Sequence, residues 1–160
     1  MATVTSYGAA KVVTGSCHLL AIEHGPCILI DCGMFQGPEE DRNYDNFGFN
    51  PSEIDYLLIT HAHLDHVGRI PKLVKEGFNG VIYATEATRD IAEIILLDSA
   101  KIMKEDYETN FKKEQRRGKE GEVREPLYDE DDVEAAFDLE WKHPEYDETI
   151  LLQEDIKVTY

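Results

Sequence analysis

Residues 56–71 constrain the fold more than any other stretch of the chain. The unbroken apolar run of residues 56–59 passes directly into Thr60-His61-Ala62-His63-Leu64-Asp65-His66 and then into Val67-Gly68-Arg69-Ile70-Pro71. A short run of this kind is the pattern of a strand covered on both faces. Pro71 suits the first turn of a helix over 71–75, which Gly77 stops. The chain must therefore be layered, with three histidines and an aspartate at a strand-to-helix junction. With 6 His among 160 residues, chance places three His and one Asp in this pattern in about 7 of 10,000 such chains, so the cluster is read as a motif.

The flanking sequence supplies the layers. Residues 4–7, 12–14, 18–23 and 27–30 read as short strands, and Gly25-Pro26 closes a hairpin between the last two. Residues 33–51 read as a long ordered loop pinned by Phe35, Tyr44, Phe47 and Phe49. After a strand at 81–83, Thr85 caps a helix from Glu86 to about Gly118, with Ile91, Ile94, Ile95, Ile102 and Met103 as its apolar positions and a bend near Ser99 or Thr109. Gly118 and Gly121 break that helix, and Asp129 with Asp132 caps a short helix through Phe137. Residues 141–144 read as a linker, and 150–152 and 156–160 as strands. Strands interspersed with helices make the fold class α/β.

The 33 acidic and 16 basic residues give a net charge of -17, which disfavours a free-standing polyanion binder. Half of the basic residues fall within residues 101–124. That stretch, with Lys112, Lys113, Arg116, Arg117 and Lys119, is either a solvated helix face of alternating charge or a cationic rim for an anionic substrate. Cys17, Cys27 and Cys32 form no CxxC pair and no apolar leader opens the chain, so reduced thiols and a cytoplasmic location are expected. The longest apolar runs are too short to cross a bilayer. No membrane partner is expected, and self-association into a homo-oligomer stays open.

The motif has a physical reading. On extended backbone His61 and His63 point to the same side and can reach one ion, while Asp65 and His66 on a tight turn can reach a second. Imidazole and carboxylate together suit Zn2+ and similar divalent ions. The arrangement is that of a two-metal half-site rather than a zinc finger. Asp31, ending the strand over 28–30, either accepts a hydrogen bond from a ligand histidine or from water on the metal, or is a turn residue beside Gly33. His18, His24 and His143 read as structural or surface residues.

Residues 59–68, Ile-Thr-His-Ala-His-Leu-Asp-His-Val-Gly, resemble the HxHxDH signature of the metallo-beta-lactamase superfamily. Residues 14–20 (Thr-Gly-Ser-Cys-His-Leu-Leu), residues 29–37 (Leu-Ile-Asp-Cys-Gly-Met-Phe-Gln-Gly), Asp98-Ser99-Ala100 and Pro126-Leu127-Tyr128 resemble its beta-CASP branch. That branch holds RNA-processing nucleases similar to the cleavage and polyadenylation specificity factor endonuclease. The resemblance implies the following assignments: His61 and His63 as ligands of a first zinc, Asp65 and His66 as ligands of a second, and Asp31 as a supporting carboxylate. It implies a hydroxide shared by two zincs that attacks phosphorus in RNA, with Asp65 orienting it and taking its proton.

The family pattern continues with a zinc histidine in a Gly-His segment, a bridging aspartate and a late acid histidine, and no His follows His143 here. Residues 1–160 are therefore expected to be the N-terminal half of a four-layered αββα sandwich, truncated before the C-terminal half and the beta-CASP domain. The expected function is half of a zinc-dependent ribonuclease site, with RNA and a C-terminal portion or complementary chain as partners, and no activity in the chain alone. The alternatives are an inactive structural fragment or subunit, and a related hydrolase of another substrate.

Overall fold

The computed structural model describes residues 1–118, 123–153 and 155–160. Six strands form one sheet in sequence order: β1 (Ala2–Gly8), β2 (Cys17–Ile22), β3 (Cys27–Ile30), β4 (Tyr56–Leu58), β5 (Val81–Tyr83) and β6 (Trp141–Lys142). β1, β2 and β3 pair antiparallel, and β3 to β6 pair parallel. The β2–β3 turn works as the Gly25-Pro26 signal predicts, with His24 in the left-handed region at φ 60°. Parallel pairs require crossovers. Helices α1 (Leu64–Val67) and α2 (Ile70–Lys75) connect β4 to β5, while α3 (Glu86–Arg116) and α4 (Glu130–Phe137) connect β5 to β6.

Neighbouring residues of the central strands serve opposite faces, because side chains alternate along a strand. Leu29, Leu57 and Ile82 enter the core under the helices, while Ile28, Leu58 and Tyr83 enter a second core with Leu152. That second core is closed by an antiparallel pair, β7 (Thr149–Gln153) and β8 (Ile156–Thr159). The Tyr56 hydroxyl donates to the Leu152 carbonyl at 3.1 Å and the Tyr160 hydroxyl to the Tyr83 carbonyl at 2.8 Å, tying the two sheets together. Helices on one face and a second sheet on the other make an α/β architecture consistent with part of a metallo-beta-lactamase sandwich.

Several elements follow the sequence closely. The Thr85 hydroxyl accepts from the Thr88 N–H at the start of α3, and Asp129 and Asp132 form a reciprocal capping box on α4. Other expectations need correction. Residues 12–14 are not a strand: Ala9 and Lys11 take positive φ, and the segment turns back with Ala9 N–H donating to Thr14 O. Residues 141–142 are not linker but β6, held by Ile82 N–H to Glu140 O and Ala84 N–H to Lys142 O, with Trp141 stacked on Phe137 at 4.8 Å. The loop over 33–51 contains a 3₁₀ segment at Gly37–Tyr44, and a second, Pro51–Glu53, begins at its end. Phe35 and Phe47 pin it as expected, whereas Tyr44 stays exposed under the Arg124 guanidinium.

α3 is helical through Ser99 and Thr109, and its buried seam is Ala92, Leu96 and Ala100. Ile91, Ile94 and Ile102 face outward. Small residues at i and i+8 let α3 lie close to its neighbours, which outweighs the larger transfer free energy of isoleucine. Beyond Met103 the helix is mostly exposed. Lys112 pairs with Glu108 at 3.9 Å and Arg117 with Glu114 at 2.9 Å, as on a helix face of alternating charge. Lys119 and Gly121 lie outside the described residues. The cysteines are free, and no helix among the described residues is long and apolar enough to cross a membrane.

Candidate metal centre

β4 is an interior strand, and its continuation carries the histidine motif to the C-terminal end of the parallel sheet. The motif is then laced to two other segments through the backbone. Ser16 N–H donates to Asp65 O at 2.8 Å, Cys32 N–H to His66 O at 2.8 Å and Met34 N–H to Leu64 O at 3.0 Å. Gly33 N–H donates to Ser16 O, which joins those two segments to each other. Gly33 passes so close that a Cβ there would lie 1.6 Å from Asp65 O. Glycine is required for contact rather than for conformation, and the buried Ala62 and Val67 anchor the motif from its other side.

Asp31 adopts φ 57°, a left-handed conformation that Asp tolerates better than most side chains. Its N–H still donates to Leu58 O at 2.9 Å, and the turn brings its carboxylate under the motif. The side chain is almost fully buried and surrounded by donors. Oδ1 accepts from Thr60 N–H at 2.9 Å, Oδ2 lies 2.9 Å from Ser16 Oγ and 2.7 Å from His66 Nδ1, and Thr60 Oγ1 is 3.0 Å from both oxygens. Asp31 therefore contacts the far nitrogen of His66, leaving His66 Nε2 for the open side.

On that side the four motif residues form two pairs. His61 Nε2 and His63 Nδ1 are 3.1 Å apart, and His66 Nε2 is 3.7 Å from Asp65 Oδ2. Two donors about 2.05 Å from one tetrahedral ion stand about 3.3 Å apart, so the pairs have spacings that a shared ion fits to within about 0.4 Å. Among the described residues no group of three or more His, Cys, Asp or Glu side chains is disposed to hold an ion. The donors present match the chemistry of a zinc site but do not close one. Burial, and then the neighbouring His66 and His63 rings, hold the His61 pKa below its ordinary value, which favours the neutral imidazole a metal needs.

The remaining histidines are elsewhere. His18 Nδ1 meets Ser6 Oγ at 2.9 Å, His24 is exposed on its turn, and His143 Nδ1 reaches Ala84 O at 3.2 Å. The structure adds Ser16, Gly33 and Thr60, to which the sequence reading gives no role. A hydroxyl residue directly before the first motif histidine was the available signal for Thr60. A cleft lined by Ile30, Leu58, Thr60, Val158 and Tyr160 opens beside the site between the two sheets.

Comparison with known proteins gives the family. The metallo-beta-lactamase superfamily model matches residues 10–147. A ribonuclease of Thermus thermophilus, TTHA0252, is 56% identical over 104 residues, covering 65% of this chain and 24% of that protein. Cleavage and polyadenylation specificity factor subunit 3-I of Arabidopsis thaliana is 34% identical over 139 residues, covering 84% of this chain and 17% of that protein. The zinc-bound PqqB of Methylobacterium extorquens is similar in structure with a TM-score of 0.46 and 18% identity, over 91% of this chain and 38% of PqqB. The chain thus spans a quarter or less of the length of these curated relatives. Its family model and its relatives agree with the motif: the chain belongs to the metallo-beta-lactamase superfamily, in the beta-CASP branch of RNA-processing nucleases.

Proposed function

We propose that this chain is the N-terminal portion of a zinc-dependent ribonuclease and supplies half of its two-metal centre, the rest coming from a C-terminal portion. The observation that carries this reading is the pairing of donors on the open side: His61 Nε2 with His63 Nδ1, and Asp65 Oδ2 with His66 Nε2. His61 and His63 would hold one zinc ion, and Asp65 and His66 a second. Bound there, the ions supply Lewis acidity and lower the pKa of water, which suits phosphodiester hydrolysis.

The chain's own residues do the positioning. Asp31 holds His66 by Nδ1, the backbone bonds from Ser16, Cys32 and Met34 fix the α1 turn, and Gly33 lets those segments close on Asp65. Asp65, with its carboxylate partly exposed beside His66, would orient an attacking water and take its proton. Two donors per ion leave each ion weakly held, so the chain alone is expected to be inactive. Its net charge of -17 also leaves the grip on RNA to other parts of the protein.

The test is cleavage of a labelled single-stranded RNA with zinc present, by this chain alone and with a separately produced C-terminal portion. Cleavage that needs both parts and is lost in Asp65→Ala supports the reading. Robust cleavage by the chain alone overturns the half-site, and hydrolysis of a thioester or lactam without RNA cleavage overturns the substrate.

A further inference from the structure

We infer that Thr60 is a positioning residue: its hydroxyl fixes the tautomer of His61 through a one-directional chain of hydrogen bonds that ends on Asp31. Thr60 Oγ1 lies 3.0 Å from both Asp31 oxygens, 3.0 Å from His61 Nδ1 and 3.3 Å from His66 Nδ1. The hydroxyl has one proton to give and lone pairs to receive others.

A carboxylate only accepts, so each group facing Asp31 must donate to it. Ser16 Oγ and Thr60 N–H do so, and His66 Nδ1 does so at 2.7 Å, its shortest contact. Were the Thr60 proton turned toward His61, the Thr60 lone pairs would face, at 3.0 Å, both oxygens of the almost fully buried Asp31 carboxylate, a contact of like polarity that is expensive where one partner is shielded from water. The Thr60 proton therefore goes to Asp31. His61 Nδ1, facing the remaining lone pair of Oγ1, must then donate, which leaves His61 Nε2 unprotonated.

That free lone pair faces His63 Nδ1 at 3.1 Å. In the ion-free chain the bonds run from His63 to His61, to Thr60, to Asp31, all in one direction. The two rings prepared by Asp31 differ from the third. His66 through a direct bond and His61 through Thr60 both present Nε2 as an acceptor, whereas His63 carries its proton on the nitrogen that faces His61. Binding an ion between His61 and His63 then requires only His63 to change tautomer. One serine or threonine hydroxyl thereby lets a single buried carboxylate orient imidazoles belonging to both ion positions.

This inference adds to the metal-site reading, but the measurement that decides it needs neither RNA nor metal. Nitrogen-15 NMR of the ion-free chain, well above the ordinary histidine titration range, reads the tautomer of each ring. The expected result is His61 protonated at Nδ1 in the wild type and in Thr60→Ser, shifting substantially to Nε2 in Thr60→Val, with the amide spectrum reporting that the fold is kept. A zinc titration of the same variants should show affinity about tenfold weaker in Thr60→Val and restored in Thr60→Ser. His61 protonated at Nε2 in the wild type, or unchanged in a folded Thr60→Val, overturns the inference. If Thr60→Val does not fold, the wild-type and Thr60→Ser spectra still decide it. A correct tautomer with no metal bound would instead count against the zinc reading alone.

Discussion

Replacing Asp31 by Asn isolates what its carboxylate does, because Asn is equally at home at the observed φ of 57° and has nearly the same shape. The new amide nitrogen must occupy one oxygen position. At Oδ1 it would face Thr60 N–H, a donor that cannot reverse. It therefore takes the Oδ2 position, facing Ser16 Oγ, which can rotate to accept, and His66 Nδ1. His66 must then accept at Nδ1 and carry its proton on Nε2, the nitrogen that faces Asp65. The loss of a buried 2.7 Å charge-assisted bond is expected to cost about 2 kcal/mol in stability. The displaced proton should weaken zinc binding by about 10- to 100-fold. Urea denaturation measures the first and competition with a chromophoric chelator the second. A variant within about 0.5 kcal/mol of wild type and unaltered in zinc affinity would refute the role given to Asp31.

Gly33→Ala places a methyl group 1.6 Å from the Asp65 carbonyl, so the motif must move; a loss of about 3 kcal/mol or more in denaturation, with reduced zinc uptake, is expected. Leu96→Ala, in the fully buried seam of α3, should cost about 2–5 kcal/mol, while Ile94→Ser on the outward face should stay within about 0.5 kcal/mol; equal effects would contradict the assigned faces. The His61 pKa is depressed by burial and neighbouring imidazoles, so the unfolded chain takes up its proton first on acidification. Stability measured by urea should then fall as pH drops through about 6.5 and level off below the folded value, and His61→Gln should flatten this dependence.

What was legible in the sequence was local. The caps at Thr85 and Asp129 and the strand over Tyr56–Leu58 follow from neighbouring residues, and each forms where its signal lies. β6 is not legible because two residues carry no periodicity, and its strand partner lies nearly sixty residues earlier. The buried face of α3 is not legible from hydropathy alone, because Ala92 and Ala100, which flank Leu96 in the buried seam, are less apolar than the outward Ile91 and Ile94. The same division holds at the site. His61, His63, Asp65 and His66 share one short window, whereas Ser16, Asp31 and Gly33 gain their roles by tertiary contact with it. Thr60 is adjacent to the motif, but its role exists only once Asp31 is beneath it.

The measurement that bears most directly on the central claim is X-ray absorption at the zinc edge of the chain loaded with zinc, for wild type, His63→Ala and His24→Ala. The account predicts imidazole nitrogens at about 2.0–2.1 Å with oxygen completing the shell, loss of nitrogen scattering and of zinc content in His63→Ala, and no change in His24→Ala. Sulfur at about 2.3 Å, from the free cysteines, or equal zinc loss in both variants, would contradict it.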